Sequence, residues 1–244
     1  MPEMEVDDRQ IAALIADLDH PDKPTIRAAT DRLIALAANS RQIQDAVVQR
    51  LSEPGHRNYW PVAYILGHLP EPSAATIQNL LDALDHREPD IRWAISLLLV
   101  QLAKREPSII GSLIDLSRSG TANQKRMAIY GLRDSGLNDS LSLAALLDSL
   151  SDADSTVRVA AVTSLKSRAD HNELVREGLL RSYLRDADLK VRNAAAVALA
   201  SFGSPSEEFT LALRQASQSD NGQARKAAAA AFELLKNNKA RSNR

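Results

Sequence analysis

The chain contains no cysteine. That excludes disulfides, thiolate metal sites and cysteine nucleophiles, and it fits a reducing compartment. Aromatic residues make up only 4% of the chain, and there are only 9 glycines. No run rich in Val, Ile, Thr and Tyr alternates at period two, so sheet is not expected. Neither sign of charge dominates, with 30 Lys and Arg against 31 Asp and Glu. Proteins that bind a phosphate backbone usually show a basic excess. The longest apolar run, about Trp93 to Ala103, is interrupted by Ser96 and Gln101, and it is too short to cross a bilayer. The first residues, MPEMEVDDRQ, are acidic and lack the apolar core of a secretory signal. These absences lead to the expectation of a cytoplasmic protein with no membrane partner.

What is present is a repeat. Apolar residues fill 44% of the 244 positions, and most of them are Ala and Leu. These are the strongest helix formers, and Ala lets helices approach closely. Segments such as IRAATDRLIALA from Ile26, IRWAISLLLVQL from Ile91, VRVAAVTSLKSR from Val157 and VRNAAAVALASF from Val191 align with one another. The second residue of the seven aligned segments is Arg27, Trp60, Arg92, Arg126, Arg158, Arg192 and Arg225, spaced by 32 to 34 residues. Each is preceded by another helical segment that ends in Leu and a turn containing Asp, Ser or His. Each unit is therefore a helix, a turn and a second helix, with Asp and Pro in the turn stopping one helix and capping the next. Counted from the Arg, positions −1, +2, +3 and +6 or +7 are apolar in nearly every unit, as with Val157, Ala160, Ala161 and Leu165. One unit cannot bury that face alone, so stability comes from stacking neighbours.

The pattern D-x-D-x-x-V-R-x-A-A at Asp152 to Ala161, and again at Asp186 to Ala195, resembles the HEAT repeat. The short period is similar to the HEAT-like repeats of the phycobilisome-lyase type. The hallmark patterns of tetratricopeptide and ankyrin units are absent. The resemblance implies an all-α fold, a right-handed α-solenoid of about seven helical hairpins over residues 7–238, flanked by a disordered tail, 1–6, and a basic tail, 239–244. It also implies that the turn Asp and the following Arg form a ladder between adjacent units. Asp152 with Arg158 and Asp186 with Arg192 fit that spacing best, and Arg27, Arg92, Arg126 and Arg225 occupy the same position. Charge at a fixed repeat position is a stacking device before it is an anion site. The second unit departs from the pattern: Trp60 stands at the Arg position and Pro61 follows. Proline is tolerated only in the first helical turn, so this helix must begin near there, and a kink or change of curvature is expected.

The sequence carries no recognisable set of catalytic residues. The histidines, His20, His56, His68, His86 and His171, are scattered, and no two lie at i and i+4. Some HEAT-repeat hydroxylases hold iron through paired His-Glu motifs, and this chain has no His-Glu dipeptide. His171 with Glu173 lacks a third ligand and reads as a solvated turn. No phosphate-binding glycine loop or nucleophile elbow occurs. The expectation is a protein without metal or cofactor.

Two surfaces are candidates for binding. The first helices of the hairpins, which line the concave side of a HEAT stack, offer Gln42, Asp45, Gln49, Gln78, Asn79, Asp82 and Asp115. These first-helix segments carry net negative charge, which suits a protein partner and argues against nucleic acid. On the second helices, positions +1 and +4 should be exposed. There Tyr64, Trp93, Met127 and Tyr130 form an apolar stripe, read either as a partner or dimer contact or as wedges between neighbouring helices. The reading is a non-enzymatic interaction scaffold or assembly factor whose partner is another protein or a second copy. The alternative is a subunit of a phycobilin-lyase-like enzyme, and a weaker one is a nucleic-acid-binding HEAT protein. Bilin absorbance on mixing favours the former alternative; salt-dependent duplex binding favours the latter.

Overall fold

The computed structural model describes residues 7–52, 59–69, 72–136, 139–166, 172–202 and 205–242, and only the backbone of 51, 52, 59 and 238–242. His56, His171, the 1–6 tail and the side chains of the basic tail lie outside the described residues. Among those described there are fourteen α-helices and no strand. They follow one another in the chain as seven successive pairs: α1 (Asp8–Asp17) with α2 (Lys23–Ala37), α3 (Arg41–Ser52) with α4 (Tyr59–His68), and α5 (Ala74–Asp82) with α6 (Pro89–Ala103). Next come α7 (Ser108–Ser119) with α8 (Ala122–Asp134) and α9 (Ser140–Asp148) with α10 (Ser155–Leu165). The last two are α11 (Glu173–Arg185) with α12 (Leu189–Ala200) and α13 (Glu207–Ser217) with α14 (Gly222–Ser242). The fold class is an all-α solenoid of helical hairpins. The chain divides into two compact units, Met1–Leu113 and Ile114–Arg244.

Small polar side chains start the helices. Asp22, Ser73, Asp139, Asp154, Asn172, Asp188 and Ser206 each accept a hydrogen bond from a backbone N–H of the first turn. Thr121 and Gln124 make a reciprocal capping box on α8. Pro24 and Pro89 sit in the first turns of α2 and α6, where the missing N–H costs nothing. Pro61 likewise falls in the first turn of α4.

The cores follow the repeat positions. In the first unit Leu33, Leu66 and Leu99 are fully buried, joined by Leu18, Leu69, Leu80 and Leu84 from the ends of the helices and the turns. A polar staple crosses this apolar interior. Gln44, almost fully buried, donates Nε2 to the Ala37 carbonyl at 2.8 Å, and its Oε1 accepts from the Ser73 N–H at 3.1 Å and the Thr76 hydroxyl at 3.3 Å. In the second unit α10 packs on α8 and α12, and α12 on α11 and α14. Alanines 128, 160, 161, 195, 196 and 228 are buried at these contacts. Gly178 shows how tight the approach is: a Cβ there would lie 2.8 Å from Leu150 Cδ1.

Three of the described turns within the hairpins share one geometry. Arg158 donates Nη1 to the carbonyls of Asp152 and Ala153, at 2.9 and 3.1 Å. Arg92 does the same to His86 and Arg87, at 2.6 and 3.1 Å, and Arg225 to Ser219 and Asp220, at 2.7 and 2.9 Å. The repeated arginine thus reaches back to the fifth and sixth residues before it and satisfies carbonyls that the chain reversal leaves without helical donors. The first turn residue then folds over the backbone. Asp152 Oδ1 accepts from the Asp154 N–H and Asp186 Oδ1 from the Asp188 N–H, both at 2.8 Å. His20 and His86 do this with Nδ1, accepting from Asp22 and Glu88 at 3.1 and 3.0 Å.

The bridge between neighbouring hairpins uses what remains of the fork. Arg158 Nε and Nη2 bind both oxygens of Asp186, at 2.8 and 2.9 Å, so this carboxylate engages the preceding arginine and not Arg192. The expected partner of Arg158 within its own turn, Asp152, offers its carbonyl there, and its carboxylate meets Lys125 at 2.7 Å. The reason is geometric. A side chain folded over its own turn points its carboxylate at the previous hairpin, where a planar fork can meet it with two parallel bonds. Arg92 keeps its two carbonyls, but its Nε is buried without a hydrogen-bond partner. Burial alone would push the Asp186 carboxyl up. The hydrogen bonds from Arg158 and the Asp188 N–H outweigh it and hold the group below its ordinary value.

Two outcomes follow for stability. Arg158→Ala should destabilise the protein by about 3 kcal/mol, because it leaves a mostly buried Asp186 carboxylate without its cation and two turn carbonyls without their donor. Chemical denaturation measures this, and Arg158→Lys should recover only part, since an ammonium cannot bridge both oxygens. His86 is held below its usual value by burial, then by Arg87 and Arg92, so the folded protein disfavours the protonated ring. Stability should therefore fall as pH drops below the ordinary histidine value of 6.5. His86→Asn, whose amide oxygen accepts the Glu88 N–H at any pH, should show a smaller loss of melting temperature on acidification.

Candidate interaction surface

On the second-helix side of the first unit, α4 and α6 leave an open groove of about 490 Å³. Its floor is made of small residues, Ala63, Gly67 and Ala94. At Gly67 an added Cβ would sit 3.4 Å from Leu98 Cδ1 and 3.6 Å from Gln101 Oε1, so the helices are close there and the floor is low. The walls are large: Trp60 and Tyr64 from α4, one turn apart, and Trp93 and Leu97 from α6, also one turn apart. Trp60 is 66% exposed, Tyr64 43%, Trp93 40% and Leu97 48%. Exposed aromatic side chains this dense are uncommon on a chain with so few aromatics, and such patches mark interaction sites.

Local bonds pin the groove. The Tyr64 ring lies against the His68 ring, with centroids 4.1 Å apart, and His68 Nδ1 donates to the Tyr64 carbonyl at 2.8 Å. Arg105 closes the end of α4 by donating to the Gly67 and Leu69 carbonyls, at 2.8 and 2.9 Å. Asp90, in the first turn of α6, lines the opposite end.

Of the four residues of the expected stripe, the structure brings Tyr64 and Trp93 together in this groove. Met127 is 5% exposed and belongs to the core beside Ala128 and Ile129. Tyr130 is half-buried, with the Arg133 guanidinium 5.0 Å above its ring centroid. The even alternation assumed for positions +1 and +4 fails at α8 because that helix buries three successive residues. Trp60 and Leu97 were not among the expected site residues. The signal for Trp60 was its place at the arginine position, four residues before Tyr64 on the same helix face.

The first-helix side has its own groove, about 590 Å³, between α3 and α5. It collects Asp45, Gln49, Asn79 and Asp82 from the expected polar face, together with Asp85 and His86. Gln78 donates to Asp82 at 2.9 Å and Gln42 to Asp8 at 2.9 Å, so both expected residues serve neighbouring carboxylates. Asp115 is exposed on α7, in the part of that helix belonging to the second unit. With His86 favouring its neutral form, the charges lining this groove are acidic. In the second unit a groove of about 580 Å³ between α9 and α11 mixes Asp148, Glu177, Arg181 and Arg185.

Among the described residues, no helix is long and apolar enough to cross a membrane. No group of three or more His, Asp or Glu side chains among them could hold a metal ion. The fold and these surfaces define a helical-hairpin repeat protein with open, side-chain-lined grooves. Residues 143–233 match the family model described as HEAT repeats. A chain in the structure of Kap95p with RanGDP is similar at 16% identity and a TM-score of 0.70, covering 98% of this chain and 34% of that one. Importin beta, solved in an ammonium sulfate condition, is similar at 14% identity and a TM-score of 0.58, covering 92% and 33%. This chain thus spans about a third of the length of either. No curated protein matches by sequence.

Asp45 Oδ1 is buried with no hydrogen-bond partner. Its desolvation is uncompensated, so Asp45→Ala should cost less than about 1 kcal/mol or be stabilising by denaturant titration. A larger loss would give Asp45 a structural role in place of a surface one.

Proposed function

We propose that this chain is a non-enzymatic protein-interaction scaffold, acting as an assembly or maturation factor, and that the groove between α4 and α6 is its principal contact. The observation that carries this reading is the cluster of Trp60, Tyr64, Trp93 and Leu97, all exposed on one groove of a rigid helical pair. Trp and Tyr dominate the energetic centres of protein interfaces, because they bury large areas at little entropic cost. Exposing them costs solubility, which a chain with no use for the groove would avoid by placing polar residues there. The hairpin-repeat fold supports the same reading, since extended surfaces on rigid repeats suit protein partners. The chain that resembles this one at a TM-score of 0.70 comes from a structure of Kap95p bound to RanGDP. The acidic groove between α3 and α5 is the second candidate contact, for the Asp45, Gln49, Asn79 and Asp82 face.

The test is affinity capture from the native lysate with tagged wild type, compared with a folded Trp60→Ser/Trp93→Ser variant. A protein captured by wild type and lost from the variant supports the reading and its surface. Retention by both moves the contact to the first-helix side. No specific capture by wild type removes the scaffold reading.

A further inference from the structure

Both tryptophans of the chain line one groove. Among the described residues that line it, one is acidic and none is lysine or arginine. The acidic residue, Asp90, stands one turn before Trp93, and Leu97 follows one turn later, so α6 presents acid, indole and aliphatic side chain along a single stripe. Trp60 and Tyr64 make the facing wall on α4. Elsewhere in the repeat the Trp60 position holds an arginine; here a cation is replaced by a ring that attracts cations.

We propose that the α4/α6 groove recognises a protein segment that sets an arginine or lysine against Trp60, Trp93 and Asp90. Its neighbouring apolar side chains lie on Ala63, Gly67 and Leu97. This rests on the scaffold reading above and names the chemistry of the partner. Indole faces are the best aromatic partners for a guanidinium or ammonium, and a carboxylate beside them adds direct attraction. Asp90 at one end also gives the bound segment a direction. The remaining length argues for a polypeptide and against a small cation. From Asp90 to Gln101 the groove follows α6 for about 16 Å, and a lone ammonium would leave the Ala63, Gly67 and Leu97 stretch uncovered. A helix of about three turns, or an extended segment of similar reach, fills it.

The tryptophans supply the readout, because intrinsic tryptophan fluorescence reports on this groove alone. The probe is a synthetic amphipathic peptide of about twelve residues with leucines on one face and a single terminal arginine. Its twin carries citrulline, the neutral isostere, in place of arginine, and a third version carries glutamate. The arginine peptide should shift the emission saturably and bind about tenfold more tightly than the citrulline twin. Asp90→Asn should remove most of that preference while leaving the citrulline affinity unchanged. Trp60→Ser, with Trp93 left as reporter, should weaken both peptides.

Equal binding of the arginine and citrulline peptides, or tighter binding of the glutamate peptide, overturns cation recognition and leaves the scaffold reading standing. The absence of a saturable shift with any peptide also overturns it. A shift that depends only on protein concentration assigns the groove to a second copy and overturns it as well. Failure of the scaffold reading would instead appear as the absence of specific capture from lysate. Thermal melting of Asp90→Asn and Trp60→Ser confirms that the variants compared are folded.

Discussion

At Arg92, Arg158 and Arg225 the same guanidinium nitrogen binds two successive carbonyls of the preceding turn. The shape of those hairpins depends on that contact. A helical hairpin reverses direction over few residues, and the reversal leaves carbonyls without helical donors. Filling them with a donor from the next helix fixes the angle at which the two helices leave the turn. Once that angle is fixed, the apolar positions three and six or seven residues after the arginine face the neighbouring hairpins. The alanines there allow close stacking. A carboxylate at the start of the turn adds a second function, since it folds over its own backbone and still reaches the preceding hairpin. Arg158 and Asp186 complete this arrangement with two parallel bonds, while Arg92 retains only the turn half of it.

Repeat proteins buy this regularity at the expense of surface variety, so departures from the pattern carry information. The clearest is at Trp60, where an indole occupies the place of the arginine. Its side chain is mostly exposed, and with Tyr64, Trp93 and Leu97 it walls a groove whose floor is kept low by Ala63, Gly67 and Ala94. Local consistency is broken there with no evident gain to the core, which is the expected mark of a functional position. The first-helix groove differs in character, being polar and acidic, with His86 favouring its neutral form. Two chemically unlike surfaces on one small unit fit a scaffold better than a single buried active site would.

The fold was legible before any coordinates because its signal is periodic. Seven segments at a nearly constant spacing, with caps and breakers between them, determined the repeat and its helix–turn–helix units. They also marked the positions that face the core, such as Leu33, Ala160, Ala161 and Leu165. Of the scattered histidines, His20 and His86 sit in turns and bond the turn backbone.

The candidate site was only partly legible. Tyr64 and Trp93 stood at outward positions and line the groove, whereas Met127 stood at an equivalent position and is buried. Helical periodicity defines a side-chain direction to within about one position, but exposure depends on what packs beside the helix, and that differs from one hairpin to the next. The pairing of Asp186 with Arg158 was undetermined for the same reason. Spacing along the chain makes two arginines eligible, and only the folded turn decides which one its carboxylate faces. The sequence by itself determined the repeat, the helices and their buried faces, because these follow from local propensity and period. The tertiary structure decided the ion-pair partners and the grooves, because these depend on distances between residues about thirty positions apart.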